Sequence, residues 1–162
     1  MPESLRGVAR FGDGSILKGN TWDFNPTGQV FHLFPIGSTE GREVRCDQLK
    51  ALFFVKTFEG DRERPKLKGF LAAPPETSKG KKVAVLFRDG ELECGYSLTY
   101  NPNRSGFFLF PADSASNNIR VFVIAAAAAE IKAGPAADAL AERVLTSQAG
   151  AGGKGTAEKP SV

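Results

Sequence analysis

Residues 1–55 and 83–132 share one texture: short apolar runs cut by Asp-Gly, by a lone glycine and by Asn-Pro, without the spacing of an amphipathic helix. Each run predicts a strand bounded by turn chemistry. In RFGDGSILKGNTWDFNPTGQVFHLFP, Asp13-Gly14 suits the positive φ angles of a tight hairpin. Gly19 then stands alone inside a strand pattern, the mark of a sharp bend or of another backbone passing close by. Asn25-Pro26 interrupts the chain again, and residues 30–34 predict a third strand. Residues 43–46 predict a fourth, and DQLKALFFV a single helical turn followed by a fifth.

The stretch VLFRDGELECGYSLTYNPNRSGFFLFP repeats this order. A shift of 76 positions lays residues 11–35 on residues 87–111 without a gap, and ten of the 25 pairs are identical. The identities fall on Asp-Gly, the lone glycine, Asn-Pro and Phe-x-Leu-Phe-Pro, where backbone geometry narrows the choice of residue, so duplication explains them. Residues 119–124 predict the second copy's fourth strand. The following AAAAAEIK favours helix by propensity, but the repeat assigns it a turn and a short strand ending near Ile131. The expected fold is all-β: two tandem, small, five-stranded bent β-barrels at residues 1–55 and 83–132. A connector (56–82) joins them, and a short helix (133–148) and a disordered tail (149–162) follow. Domains this small are marginal alone, which predicts that the two barrels dock.

The run Phe11, Asp13, Gly14, Ile16, Gly19, Phe24, Asn25 resembles the first motif of Sm-like proteins, the family of eukaryotic Sm proteins and bacterial Hfq. Phe87, Asp89, Gly90, Leu92, Gly95, Tyr100 and Asn101 resemble it a second time. The resemblance implies a bent five-stranded barrel, ring assembly through edge-strand pairing, and RNA binding in many members. The family's RNA pocket also draws on an Arg-Gly or Lys-His pair near strands four and five, where this chain has CDQLK and VIAAAA. Both copies also look like an uncharacterised bacterial domain, which implies no activity.

Composition narrows the function. The chain is 41% hydrophobic and 24% charged, with 13 Phe to fill a core. No run approaches the roughly 18 apolar residues of a membrane span, and the first residues hold no apolar leader, so the cytoplasm is the expected compartment and no membrane partner is expected. Cys46 and Cys94 lie in strand-like runs and are expected to be buried, reduced thiols. With His32 the only histidine, neither a zinc site nor a nucleophile–base–orienter set is in view. No enzyme activity, metal or cofactor is expected.

What remains is binding. Alternate residues of a strand face opposite ways, so Phe107/Leu109 and Phe108/Phe110 cannot all enter one small core. Phe34, Phe108 and Phe110 are therefore candidates for a partner-binding face, with packing on the sister barrel as the plainer use of such residues. The primary expectation is an adaptor offering an apolar strand face and sheet edges to a protein partner or to itself. The alternative is RNA or nucleotide binding through the connector, which holds eight basic and four acidic residues against a net charge of +3 for the whole chain. Its candidate phosphate contacts are Lys66, Lys68, Lys79, Lys81 and Lys82.

Overall fold

The computed structural model describes residues 5–59, 70, 80–113 and 116–155. The first copy supplies β1 (Leu5–Phe11), β2 (Ile16–Thr21), β3 (Val30–Pro35), β4 (Arg42–Arg45) and β5 (Leu49–Val55). The second supplies β6 (Lys81–Phe87), β7 (Leu92–Ser97), β8 (Gly106–Pro111), β9 (Asn118–Ile124) and β10 (Ala128–Ala133). Helix α1 (Pro135–Gly155) follows. The duplication extends into fine geometry. Gly14 and Gly90 turn their hairpins at φ 94° and 96°. A Cβ on Gly19 would lie 2.3 Å from the Phe34 carbonyl oxygen, and on Gly95 2.1 Å from that of Phe110, so only glycine lets the third strand cross so closely. Single 3₁₀ turns, Cys46–Gln48 and Ala125–Ala127, lead into the fifth strands. The alanine run is thus a turn and a strand: pairing of β10 with β6 overrides its helical propensity.

All ten strands form one antiparallel sheet in the order β10-β6-β7-β8-β9-β5-β1-β2-β3-β4. This corrects the expectation of two closed tandem barrels. Within each copy the order is fifth, first, second, third, fourth, and among the described residues no pairing joins a fourth strand to the fifth of its own copy. The free side of β9 is taken by β5 of the other copy, with Leu52 opposite Phe122 and Phe54 opposite Arg120. Lys56 N–H extends this seam to the Asn117 carbonyl at 2.9 Å.

Successive residues of the seam strands serve different cores. Leu52, Phe54, Phe122 and Ile124 face the core built on Ala9, Phe31, Leu33 and Val44 of the first copy. Ala51, Phe53, Val121 and Val123 face the core built on Val83, Val85, Phe87 and Leu109 of the second. Because neighbours along a strand point to opposite faces, the two cores lie on opposite sides of the sheet. Every residue of β5 is buried, as a strand with an interior on each face requires. Lys50 is among them: its ammonium is held by the Asp89 carboxylate at 2.7 Å and by Glu91, and lies 4.8 Å from the centre of the Phe87 ring. A lysine of one copy is thereby clamped by the Asp-Gly hairpin of the other.

α1 covers the back of β6 and β7, packing Ala137, Leu140, Ala141 and Val144 on Ala84, Leu92, Cys94 and Tyr96. It runs to Gly155, past the expected end at 148, because docking supplies the nucleus that an isolated helix of this composition lacks. Lys81 and Lys82, assigned to the connector from sequence, begin β6. The remaining expectation of a disordered tail, residues 156–162, lies outside the described residues. Among the described residues no helix is long and apolar enough to cross a membrane.

Candidate functional site

Ordered as it is, the sheet ends on β4 at one side and β10 at the other. Each end strand has an internal equivalent that is paired on both edges, β9 for β4 and β5 for β10, and β4 is the end that lies beside an exposed aromatic pair. The Cys46 N–H donates to the Gln29 carbonyl at 2.9 Å, and the pairs Val30–Arg45, Phe31–Val44 and His32–Glu43 continue that register. In an antiparallel ladder, hydrogen-bonded and non-bonded pairs alternate. Val44 therefore directs its amide and carbonyl to β3, and Glu43 and Arg45 direct theirs to the outside. In the second copy the Ala125 N–H bonds the Ser105 carbonyl at 2.8 Å, fixing the same phase, and the outward groups there belong to Phe122 and Arg120, which face β5.

Side chains on β3 and β4 follow the same alternation. Phe31, Leu33 and Val44 enter the core, while Val30, His32, Glu43 and Arg45 are exposed on the outer face. Phe34 shares that face, and Trp22 stacks on it with ring centres 4.5 Å apart and planes 13° from parallel. Trp22 is nonetheless 47% exposed, and Ile36, just beyond β3, is 66% exposed. The loop carrying the tryptophan is pinned by Asp23, which accepts the His32 N–H at 2.9 Å and meets the imidazole Nδ1 at 2.8 Å. Burial works against that carboxylate, but the two His32 groups outweigh it and hold Asp23 below its usual range. In the second copy Thr99 stands in for Asp23, accepting the Phe108 N–H at 3.1 Å, and Leu98 stands in for Trp22.

The three phenylalanines expected to form one partner-binding face are not gathered together. Phe34 lies under Trp22 near the β4 end. Phe108 packs in the seam against Phe24, Phe54 and Phe122, with the Arg120 guanidinium 4.5 Å from its ring centre. Its environment is the sister copy, the plainer of the two uses. Phe110 is half-buried in β8. Trp22, Glu43 and Arg45 escaped the sequence reading; a lone tryptophan just past the second strand was the available signal.

Of the candidate phosphate contacts, Lys66, Lys68 and Lys79 lie outside the described residues. Lys81 is exposed. Lys82 lies over the Phe70 ring and reaches the Asp138 carboxylate at 3.0 Å and 3.3 Å, an ion pair that offsets its charge. A cleft of about 510 Å³ at the seam is lined by Asn25, Thr27, Thr99, Arg104 and Phe108, among others. Asn25 and Asn101 themselves close local turns, accepting the N–H groups of Thr27 and Asn103 at 2.9 Å and 2.8 Å. Neither cysteine forms a disulfide; Cys94 is buried, Cys46 is half-buried, and burial raises the Cys46 thiol pKa. Among the described residues no group of three His, Cys, Asp or Glu side chains could hold a metal ion.

No curated protein and no solved structure matches this chain. A family model does match, over residues 4–133, a span that takes in both copies and ends before α1. The chain belongs to that family, a family of unknown function (DUF6982).

Proposed function

We propose that this protein is a non-enzymatic binding module that accepts an extended strand of a protein partner along β4. Each copy is, in this reading, a Sm-like five-stranded unit whose edge has been opened for pairing. One observation carries the proposal: β9, the internal equivalent of β4, bears a strand on the edge where, among the described residues, β4 bears none. The repeat is thus built to take a strand there. Strand addition draws affinity from main-chain bonds and specificity from alternate side chains. The outward groups of Glu43 and Arg45 would supply the first, and the exposed Trp22–Phe34 pair with Ile36 the second.

Affinity capture from native extract, with the intact chain and with a Trp22→Ala/Phe34→Ser variant as bait, tests this. The expected outcome is a partner retained by the first and lost by the second, with slowed hydrogen exchange at the Glu43 and Arg45 amides in the complex. Identical captures with both baits would defeat the reading. The alternative, RNA or nucleotide binding, is favoured by the seam cleft, where Arg104 and the Phe108 ring adjoin. Labelled oligoribonucleotide titrated at rising salt separates the two, since phosphate contacts weaken steeply with ionic strength.

A further inference from the structure

We infer that the strand taken up by β4 is β4 of a second copy of this chain, forming a two-fold dimer centred on Val44. The inference rests on the strand-accepting reading above and names its occupant.

Among the described residues both ends of the sheet are open, so the first possibility is head-to-tail pairing of β4 with β10 of another molecule. The seam supplies the register for that contact, because β5 and β10 are equivalent, as are β9 and β4. Leu52 opposite Phe122 becomes Ile131 opposite Glu43, and Phe53 opposite Val121 becomes Lys132 opposite Arg42. An apolar side chain would then face a carboxylate, and two cations would face each other. Like charges directly opposite are destabilising.

Antiparallel pairing of β4 with itself meets the opposite situation. Only Glu43 and Arg45 present outward amides and carbonyls, so a partner strand must place one of these opposite the other or opposite itself. Glu43 opposite Glu43 and Arg45 opposite Arg45 both set like charges together. The register with Val44 on the axis sets Glu43 opposite Arg45 twice, in two complete hydrogen-bonded pairs, with four main-chain bonds in all. Val44 itself stays in its own core, 1% exposed. The short sequence Glu-Val-Arg is thus its own antiparallel complement in both charge and hydrogen-bonding phase. A two-fold contact of this kind closes on itself, so assembly stops at two.

The test is a charge swap in the full chain, read by sedimentation and by native mass measurement. The wild type is expected to shift from 17.3 kDa towards twice that mass as concentration rises. Glu43→Arg and Arg45→Glu, both on exposed side chains, should each weaken dimerisation about tenfold or more. Mixed together, the two variants should recombine into a heterodimer, since every opposed pair is then Arg against Glu; that recovery also shows that both are folded. A wild type that stays monomeric, a dimer indifferent to either variant, or variants that fail to recombine would overturn the inference. A monomer whose Glu43 and Arg45 amides gain protection on binding a different protein would overturn self-pairing and leave the strand-accepting reading intact. If those amides are protected in no complex, both fall.

Discussion

The seam and the bare end of the sheet are the same structural position met twice, with opposite chemistry. At the seam the fourth strand of the repeat reads Val121-Phe122-Val123-Ile124, runs for seven residues and is covered by β5. At the end it reads Arg42-Glu43-Val44-Arg45, runs for four and is uncovered among the described residues. The inward residue of the pair opposite Phe31 or Phe107 is valine in both, because each must fill a core. All the difference lies in neighbouring positions. Apolar side chains there commit an edge to permanent burial, and charges keep it in water unless a strand of matching charge arrives.

Exchanging that chemistry is the most severe way to break the comparison. Phe122→Glu gives β9 the residue of β4 and buries an unpaired carboxylate between the copies. The expected loss is about 4 kcal/mol or more, read by chemical denaturation, and both copies should be lost in one transition.

Lys50→Ala removes the cation shared between the copies together with its buried stem; the Asp89 and Glu91 carboxylates it leaves keep access to water, so about 1–2 kcal/mol is expected. The same variant carries a pH signature. Burial pushes the Asp89 carboxyl up, but the Lys50 ammonium and the Glu91 N–H outweigh it, so the group sits below its ordinary value. A depressed carboxyl stabilises the fold above its unfolded pKa, and that contribution disappears as pH falls through the folded value. Wild-type stability should therefore decline below the ordinary carboxylate range, and the decline should be shallower in Lys50→Ala.

Trp22→Ala takes away one ring of an exposed stack. It should lower stability by about 1 kcal/mol, measured by thermal melting, while weakening partner capture far more. Glu43→Phe, the mirror of the first change, should alter stability by no more than about 0.5 kcal/mol. Its effect should appear in light scattering as larger, salt-resistant assemblies, because the edge has lost its protecting charge.

Much of this was legible in the chain because glycine geometry is unforgiving. Gly14, Gly19, Gly90 and Gly95 marked the turns and crossings that shape the first three strands of each copy. The alanine run was read correctly by trusting the repeat above propensity. Joining the copies into one sheet was harder to see, since hydrogen-bond partners across a seam leave no local trace. A hint did exist: Leu52-Phe53-Phe54-Val55 does not alternate with polar residues, as a strand with water on one face would. The surplus of phenylalanine was real, yet sequence could not divide it between seam and surface. Phe108 matches His32 and Phe34 matches Phe110, and it is the covering of β9 that sets Phe108 against the sister copy. Glu43 and Arg45 gave no signal as a site, because charges on a short strand are ordinary; their significance comes from the phase of the ladder beside them.

The alternating loyalty of β5 has a consequence for anyone who would divide this protein. Cutting the chain between its repeats would strip each interior of residues that only the other supplies: Phe53 from one side, Phe122 from the other. Neither half should persist as an independent product, but co-expressed fragments should find each other and rebuild the whole.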